Sequence, residues 1–248
     1  MMNTCLVITG ASSGIGAALA ERLATEGASV VLVARREDAL AEVAAKCGPN
    51  ALAVAADVTR REEVERVVKE ALGRFGRIDV WVNNVGRGIS RMPSELIDAD
   101  VEEMIRVNVL SALYGMQAVL PHFKARGDGH IVNVSSMLGR IPFAVQRSAY
   151  SAAKHFLNAL TANFREEVQS THPGIQVSLV SPGVVRTDFG LHARHGGADN
   201  RTLPNSQSAE EVAEVIAGVI ASRRPDVYTP PGAHDRVVAY YDGLGEDA

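Results

Sequence analysis

CLVITGASSGIGAALAERLA, Cys5–Ala24, passes from an apolar run through three glycines into a helical repeat. The opening Cys-Leu-Val-Ile has no polar alternation, the pattern of a strand covered on both faces. Ile15, Ala18, Leu19 and Leu23 then recur at the spacing of one helical face. Gly10, Gly14 and Gly16 fall at the turn between the two. Glycine lets backbone come close to a phosphate there, and the opening helix presents free N–H groups and the positive end of its dipole. The stretch therefore predicts a dinucleotide-binding turn between a first strand and a first helix. Its spacing, Gly10-x-x-x-Gly14-x-Gly16, differs from the commoner Gly-x-Gly-x-x-Gly, and no Gly-Lys-Ser/Thr ending makes it a nucleoside-triphosphate loop.

The same alternation continues to the end of the chain. SVVLVA, ALAVAAD, IDVWVNN, HIVNVSS, IQVSLVSPG and DVYTP read as further strands, separated by amphipathic segments. Val64, Val67, Val68, Ala71, Leu72 and Phe75 share one helical face, behind a capping-box pattern at Thr59–Glu62. Leu40, Val43, Ala44 and Cys47 repeat that spacing before Gly48-Pro49, and Val212, Val215, Ile216 and Val219 do so after a second capping box at Ser208–Glu211. Strand–helix alternation of this length predicts one doubly wound parallel sheet of about seven strands, helices on both faces, in a single domain. Residues 188–207, polar and broken by Gly196-Gly197 and Pro204, predict a mobile lid over the substrate.

With 248 residues, 46% of them hydrophobic, the chain can bury a large core. A net charge of −4 and arginines scattered in short pairs exclude a nucleic-acid or anionic-membrane surface. Two cysteines, Cys5 and Cys47, predict neither a disulfide framework nor a zinc site, and His192 and His195 lack a third ligand, so no metal is expected. No signal peptide or membrane span is read, and the expected location is the cytoplasm.

SAYSAAKHF, Ser148–Phe156, carries the second decisive pair. Tyr150 and Lys154 stand four apart on one helical face, where an ammonium can favour a phenolate. Taken alone, such a pair is far more often a helix with one surface lysine than a catalytic pair. The motifs taken together, in this order, resemble the short-chain dehydrogenase/reductase family along nearly the whole chain. Thr9–Gly16 is similar to its cofactor turn, Asp57-Val58 to its adenine contact and Asn83-Asn84-Val85-Gly86 to its Asn-Asn-Ala-Gly segment, with Val85 where alanine is usual. Asn108, Ser136, Tyr150 and Lys154 match its catalytic group, Ser136 being the second serine of its pair, and Pro182-Gly183 with Thr187 resembles the segment that closes over the nicotinamide.

The resemblance implies hydride transfer between a nicotinamide cofactor and a ketone or secondary alcohol. Tyr150 is then general acid/base, Ser136 holds the substrate oxygen, Lys154 lowers the tyrosine pKa and holds the ribose, and Asn108 anchors a water that links Lys154 to solvent. Implied cofactor contacts are Gly10, Ser12, Ser13, Gly14, Ile15, Gly16, Arg35, Arg36, Asp57, Val58, Asn84, Gly86, Tyr150, Lys154, Pro182, Gly183, Val185 and Thr187. Substrate contacts are Ser136, Met137, Gln146, Tyr150 and Phe189, within walls formed by residues 137–146 and 189–195. After the second strand, Ala34 stands where an acidic residue would take a free ribose 2′-hydroxyl, and Arg35 and Arg36 follow. That choice predicts NADP(H), with Arg35 the main phosphate contact. The absence of Gly-x-Ser-x-Gly argues against a serine hydrolase. A non-enzymatic NADP-binding redox sensor on the same fold is the alternative, and a homodimer or homotetramer through residues 101–123 and 149–168 is expected.

Overall fold

Seven strands, β1 Cys5–Thr9, β2 Ser29–Ala34, β3 Ala51–Ala55, β4 Val80–Asn83, β5 Gly129–Val134, β6 Ile175–Ser181 and β7 Asp226–Tyr228, lie in one sheet. A computed structural model describes residues 2–245 of the chain. The sheet order is β3-β2-β1-β4-β5-β6-β7, and every pairing is parallel. Val7 pairs with Val31 on one side and with Trp81 on the other, so the winding reverses at β1. In such sheets the crevice for a ligand opens beyond the carboxyl ends of the strands at that reversal, here at Thr9 and Asn83.

Alternation along β1 divides the core into two layers. Leu6 and Ile8 join Leu19, Leu23, Leu40, Val212 and Ile216 from α1 (Gly14–Ala24), α2 (Glu37–Cys47) and α7 (Ala209–Ser222). Cys5 and Val7 face the opposite layer of Val64, Val67, Phe123 and Phe164 from α3 (Arg61–Phe75), α5 (Ser111–Arg126) and α6 (Ser148–Thr171). The remaining helices are α4, Asp98–Ile105, and α8, Ala233–Asp242.

One local reading differs from the sequence expectation. The capping box at Ser208 forms as expected, with Ser208 Oγ accepting from the Glu211 N–H and Glu211 accepting from the Ser208 N–H. That at Thr59 does not. Arg60 is the N-cap of α3, the Thr59 hydroxyl donates to Asp57 Oδ1 at 2.8 Å, and Glu63 reaches back to the Asp57 N–H at 2.7 Å. Asp57 closes its own turn onto Thr59, a local alternative open to any aspartate two residues before a free N–H. Residues 101–123 take in the end of α4 and most of α5, which are joined by a single π-helical turn at Arg106–Leu110.

Candidate active site

The glycine turn is shaped by close approach. A Cβ on Gly16 would lie 2.3 Å from the Gly10 carbonyl oxygen and 2.7 Å from Asn84 Nδ2, so no side chain can stand there, and Gly10 itself has φ +68°. Asn84 Nδ2 donates to the carbonyls of Thr9 and Gly10 at 3.1 and 3.3 Å, while its N–H donates to Thr9 Oγ1 at 3.0 Å. Asn84, expected to contact cofactor, thus spends its amide bracing the turn. Helix α1 opens at Gly14 behind Ser13, which makes no side-chain cap, and its first turn carries no acidic residue. Both features leave the positive end of the helix open to an anion.

Beyond β2 the Arg36 guanidinium donates to Ser12 Oγ at 3.2 Å and Ser13 Oγ at 3.3 Å. Arg35 lines the same cavity but makes no side-chain hydrogen bond among the described residues. Of the two arginines, it is Arg36 that hydrogen-bonds the serines of the glycine turn. As the N-cap of α2, Arg36 sits where the chain bends back toward α1.

A cavity of about 1020 Å³ runs from this turn along the carboxyl ends of the strands. Every site residue named from the sequence lines it except Gly16, which lies behind the turn, and Asn108. Volume, glycine cradle and flanking arginines fit a nicotinamide dinucleotide. Thr187 reaches across the cleft, its Cγ2 lying 3.1 Å from where a Cβ on Gly14 would stand. Behind it Val185 pairs with Gln207, and the Pro182 carbonyl accepts the Met137 N–H at 2.7 Å.

At the far end Tyr150 and Lys154 are buried on the first turns of α6, with Lys154 Nζ 5.8 Å from the centre of the phenol ring. Lys154 donates to the Val134 carbonyl at 3.0 Å. Burial raises the Tyr150 pKa to about 12, against the pull of the Ser136 hydroxyl and the Arg147 guanidinium. Burial also lowers Lys154 to about 7. Desolvation thus outweighs the pull of Ser136 and Arg147 on the phenol. Ser135 donates to Asn158 Oδ1 at 2.5 Å, which directs it away from Tyr150, whereas Ser136 Oγ accepts the Leu138 N–H at 3.1 Å.

Asn108 sits on the π-turn, where the widened backbone lets its side chain meet groups outside its own helix. Its Nδ2 donates to the carbonyls of Arg87 and Met104, both at 3.0 Å, and its Oδ1 accepts the Arg87 N–H at 3.1 Å. A Cβ on Gly86 would stand 3.1 Å from Asn108 Oδ1 and 3.5 Å from Lys154 Nζ, so both side chains converge on that glycine.

The expected lid is tied down at two points. Its base closes where Arg186 N–H donates to the Gln207 carbonyl at 2.8 Å and Gln207 N–H to the Val184 carbonyl at 2.9 Å. Farther along, Arg194 donates to both Asp100 and Glu103 of α4, and His195 Nε2 lies 2.8 Å from Asp100 Oδ1. Asp100 is fully buried; burial would raise its pKa, but the hydrogen bonds from His195 and Arg194 override this and bring it to about 2. Arg194 and His195, expected on the substrate wall, are turned into this latch. Phe189 remains on the wall, its ring 5.7 Å from that of Tyr150 and tilted 59°. Sequence reasoning missed Asp100 and Glu103, hidden among the acidic residues of a helix start, and Arg147, which lines the cavity one residue beyond the wall drawn from the sequence.

A doubly wound parallel sheet with a glycine turn at its reversal point and a buried Tyr–Lys pair across the cleft defines a Rossmann-type oxidoreductase. Residues 4–196 match the family described as short chain dehydrogenase. The chain belongs to that family. It is 39% identical over 193 residues to an uncharacterized oxidoreductase of Staphylococcus epidermidis, covering 74% of this chain and 81% of that one. With the uncharacterized oxidoreductase YxnA of Bacillus subtilis it shares 33% identity over 246 residues, 96% of this chain and 68% of the other. Among solved structures, an alcohol dehydrogenase from Thermococcus sibiricus complexed with 5-hydroxy-NADP superposes with a TM-score of 0.79 at 30% identity, over 91% of this chain and 95% of that one. A short chain dehydrogenase/reductase from Burkholderia phymatum in complex with NAD gives 0.88 at 25% identity, over 100% and 98%. No helix among the described residues is long and apolar enough to cross a membrane.

Proposed function

We propose that the chain reduces a ketone to a secondary alcohol with NADP(H), using Tyr150 as the proton donor. The observation that carries this reading is a buried Tyr150 beside Ser136, with Lys154 one turn along, in the cavity that Arg36 also lines. A bound nicotinamide supplies the hydride to the carbonyl carbon. Ser136 donates a hydrogen bond to the carbonyl oxygen and holds it against the phenol, and Tyr150 gives up its proton as charge develops on that oxygen. Lys154, in its ammonium form, stabilises the phenolate left behind. A pKa near 7 lets it exchange its own proton at neutral pH, and Asn108, at Gly86 beside it, holds the water through which that proton returns.

Gly10, Ser12, Ser13, Gly14, Ile15, Asp57, Val58 and Gly86 would hold the cofactor from the adenosine side to the nicotinamide ribose. Arg36, with Arg35 beside it, would take the 2′-phosphate, because no carboxylate at Ala34 competes for the ribose. Met137, Gln146 and Phe189 flank the substrate. A homo-oligomer through α5 and α6 belongs to the same reading: Phe156 is 52% exposed on α6, on the side away from the sheet.

Purified protein, given NADPH or NADH with a panel of ketones, decides between this reading and a redox sensor. The expected result is ketone-dependent oxidation of NADPH at least about tenfold more efficient than of NADH. Tight NADPH binding without oxidation by any ketone would leave the sensor in its place.

A further inference from the structure

Of the cations lining the cleft, Arg35, Arg106 and Arg147 meet no side-chain partner among the described residues; Arg35 and Arg106 are exposed, and Arg147 alone of the three is partly buried. Arg87 pairs with Glu103, His192 with Asp188, Arg36 with the serine hydroxyls, and Lys154 with a backbone carbonyl. Arg147 lines the cavity three residues before Tyr150 and meets no carboxylate among the described residues. Its side chain makes one hydrogen bond there, from Nη1 to the Ile89 carbonyl at 3.1 Å.

That guanidinium is fixed in place. A Cβ on Gly88 would lie 3.2 Å from its Nη1, and one on Gly197 would lie 2.9 Å from its Nη2. It is thus held between the segment after β4 and residues 188–207, the strap over the cleft, and both neighbours are glycines, which bring no side chain against it. Burial pulls its pKa down, the signature of a cation taken partly out of water without a full counter-charge. Arginine presents a planar fork of donors that matches a carboxylate in two parallel hydrogen bonds. The carboxylates that share the cavity wall are already engaged, Asp57 by Thr59, Glu103 by Arg87 and Asp188 by His192.

We infer that the substrate carries a carboxylate, and that Arg147 receives it. Arg147 is the N-cap of α6, three residues before Tyr150, and both line the one cavity, so the carboxylate and the carbonyl that Tyr150 addresses share a single pocket. The favoured class is the short oxo acid. This assignment rests on the reductase reading for the word substrate, but the anion site itself is testable without turnover.

The test is calorimetric binding of 2-oxobutanoate, 4-oxopentanoate and 5-oxohexanoate, each against its methyl ester, to protein saturated with NADP⁺, which cannot reduce them. At least one acid is expected to bind ~10–100-fold more tightly than its ester, the range of a charge-assisted hydrogen bond. Arg147→Gln should erase that preference while ester binding stays within about twofold, and Arg147→Lys should restore part of it. Acids that bind no better than their esters to the unaltered protein overturn the proposal, whatever the variants do, and so does a preference that survives Arg147→Gln. NADPH oxidation by the same compounds reads the reductase separately. Arg147-dependent binding with no turnover leaves the anion site standing and removes the reductase; turnover without any preference for the acid does the reverse.

Discussion

Arg194, on the strap, and Asp100, on α4, form an ion pair across 94 residues of sequence, with the Asp100 carboxylate fully buried. Arg194 also reaches Glu103, and Arg91 adds a contact to Asp100 at 3.2 Å. A charge buried at this depth is stable only while its partners remain, so the strap can lift from the cleft only by separating these groups or moving α4 with it. Arg194→Ala should therefore expose residues 188–207 to limited proteolysis several times faster than in the unaltered protein, with the rest of the chain protected. Equal cleavage rates would show that the strap is held elsewhere. Because Asp100 is ionised in the folded chain down to about pH 2 and an unfolded aspartate only to about 3.9, its anchoring is complete above about pH 4 and is lost between about 4 and 2.

His130 gives a pH dependence at milder values. It is buried on β5 with Nε2 2.8 Å from Ser178 Oγ, and burial lowers its pKa from 6.5 to about 4. The unfolded chain takes up this proton first as pH falls, so the stabilisation is complete above about 6.5 and disappears on descent to about 4. The shift corresponds to as much as ~3 kcal/mol. Urea unfolding at pH 7 and at pH 4.5 should show a smaller difference for His130→Gln than for the unaltered protein by roughly 2 kcal/mol. Identical differences would remove His130 as the cause.

Arg36 and Arg35 make separable contributions to cofactor choice. Arg36→Ala should lower the preference for NADPH over NADH by about tenfold, through the KM for NADPH, because its guanidinium is already placed over Ser12 and Ser13. Arg35→Ala should cost less, since it is exposed and its side chain makes no hydrogen bond that orients it among the described residues. A larger loss at Arg35 would restore the order read from the sequence.

Much of this could be read in the chain itself. The apolar runs mark the inner strands because a strand covered on both faces has no polar positions to blur it, as in Val30–Val33, and the edge strands β3 and β7 are apolar enough to be read although partly exposed. The glycine turn was legible for a steric reason: Gly16 has no room for a Cβ. What escaped were pairings between distant residues. The latch joins Asp100 and Glu103 to Arg194 across a separation that periodicity cannot see, and the same topology that buries α4 turns Arg194 away from the substrate wall. Asn84 matches the family motif, yet its role as a brace depends on Thr9 and Gly10 lying on the neighbouring strand. The burial of Tyr150 is not legible in the spacing either. Helical spacing puts Lys154 beside it, but the degree of burial that raises the phenol to about 12 comes from the packed fold.

Tyr150→Phe tests the central claim most directly. The phenol lies in the cavity with Phe189 against one side, and removing a single oxygen leaves the ring packing in place. NADPH oxidation should be measured with the best ketone from the panel, alongside NADPH binding by fluorescence and the thermal unfolding midpoint. The account predicts unchanged unfolding, NADPH binding within a few-fold, and turnover lower by ~10²–10⁴-fold. Turnover within about threefold of the unaltered protein, with binding and folding intact, would contradict proton transfer by Tyr150 and with it the mechanism proposed for this site.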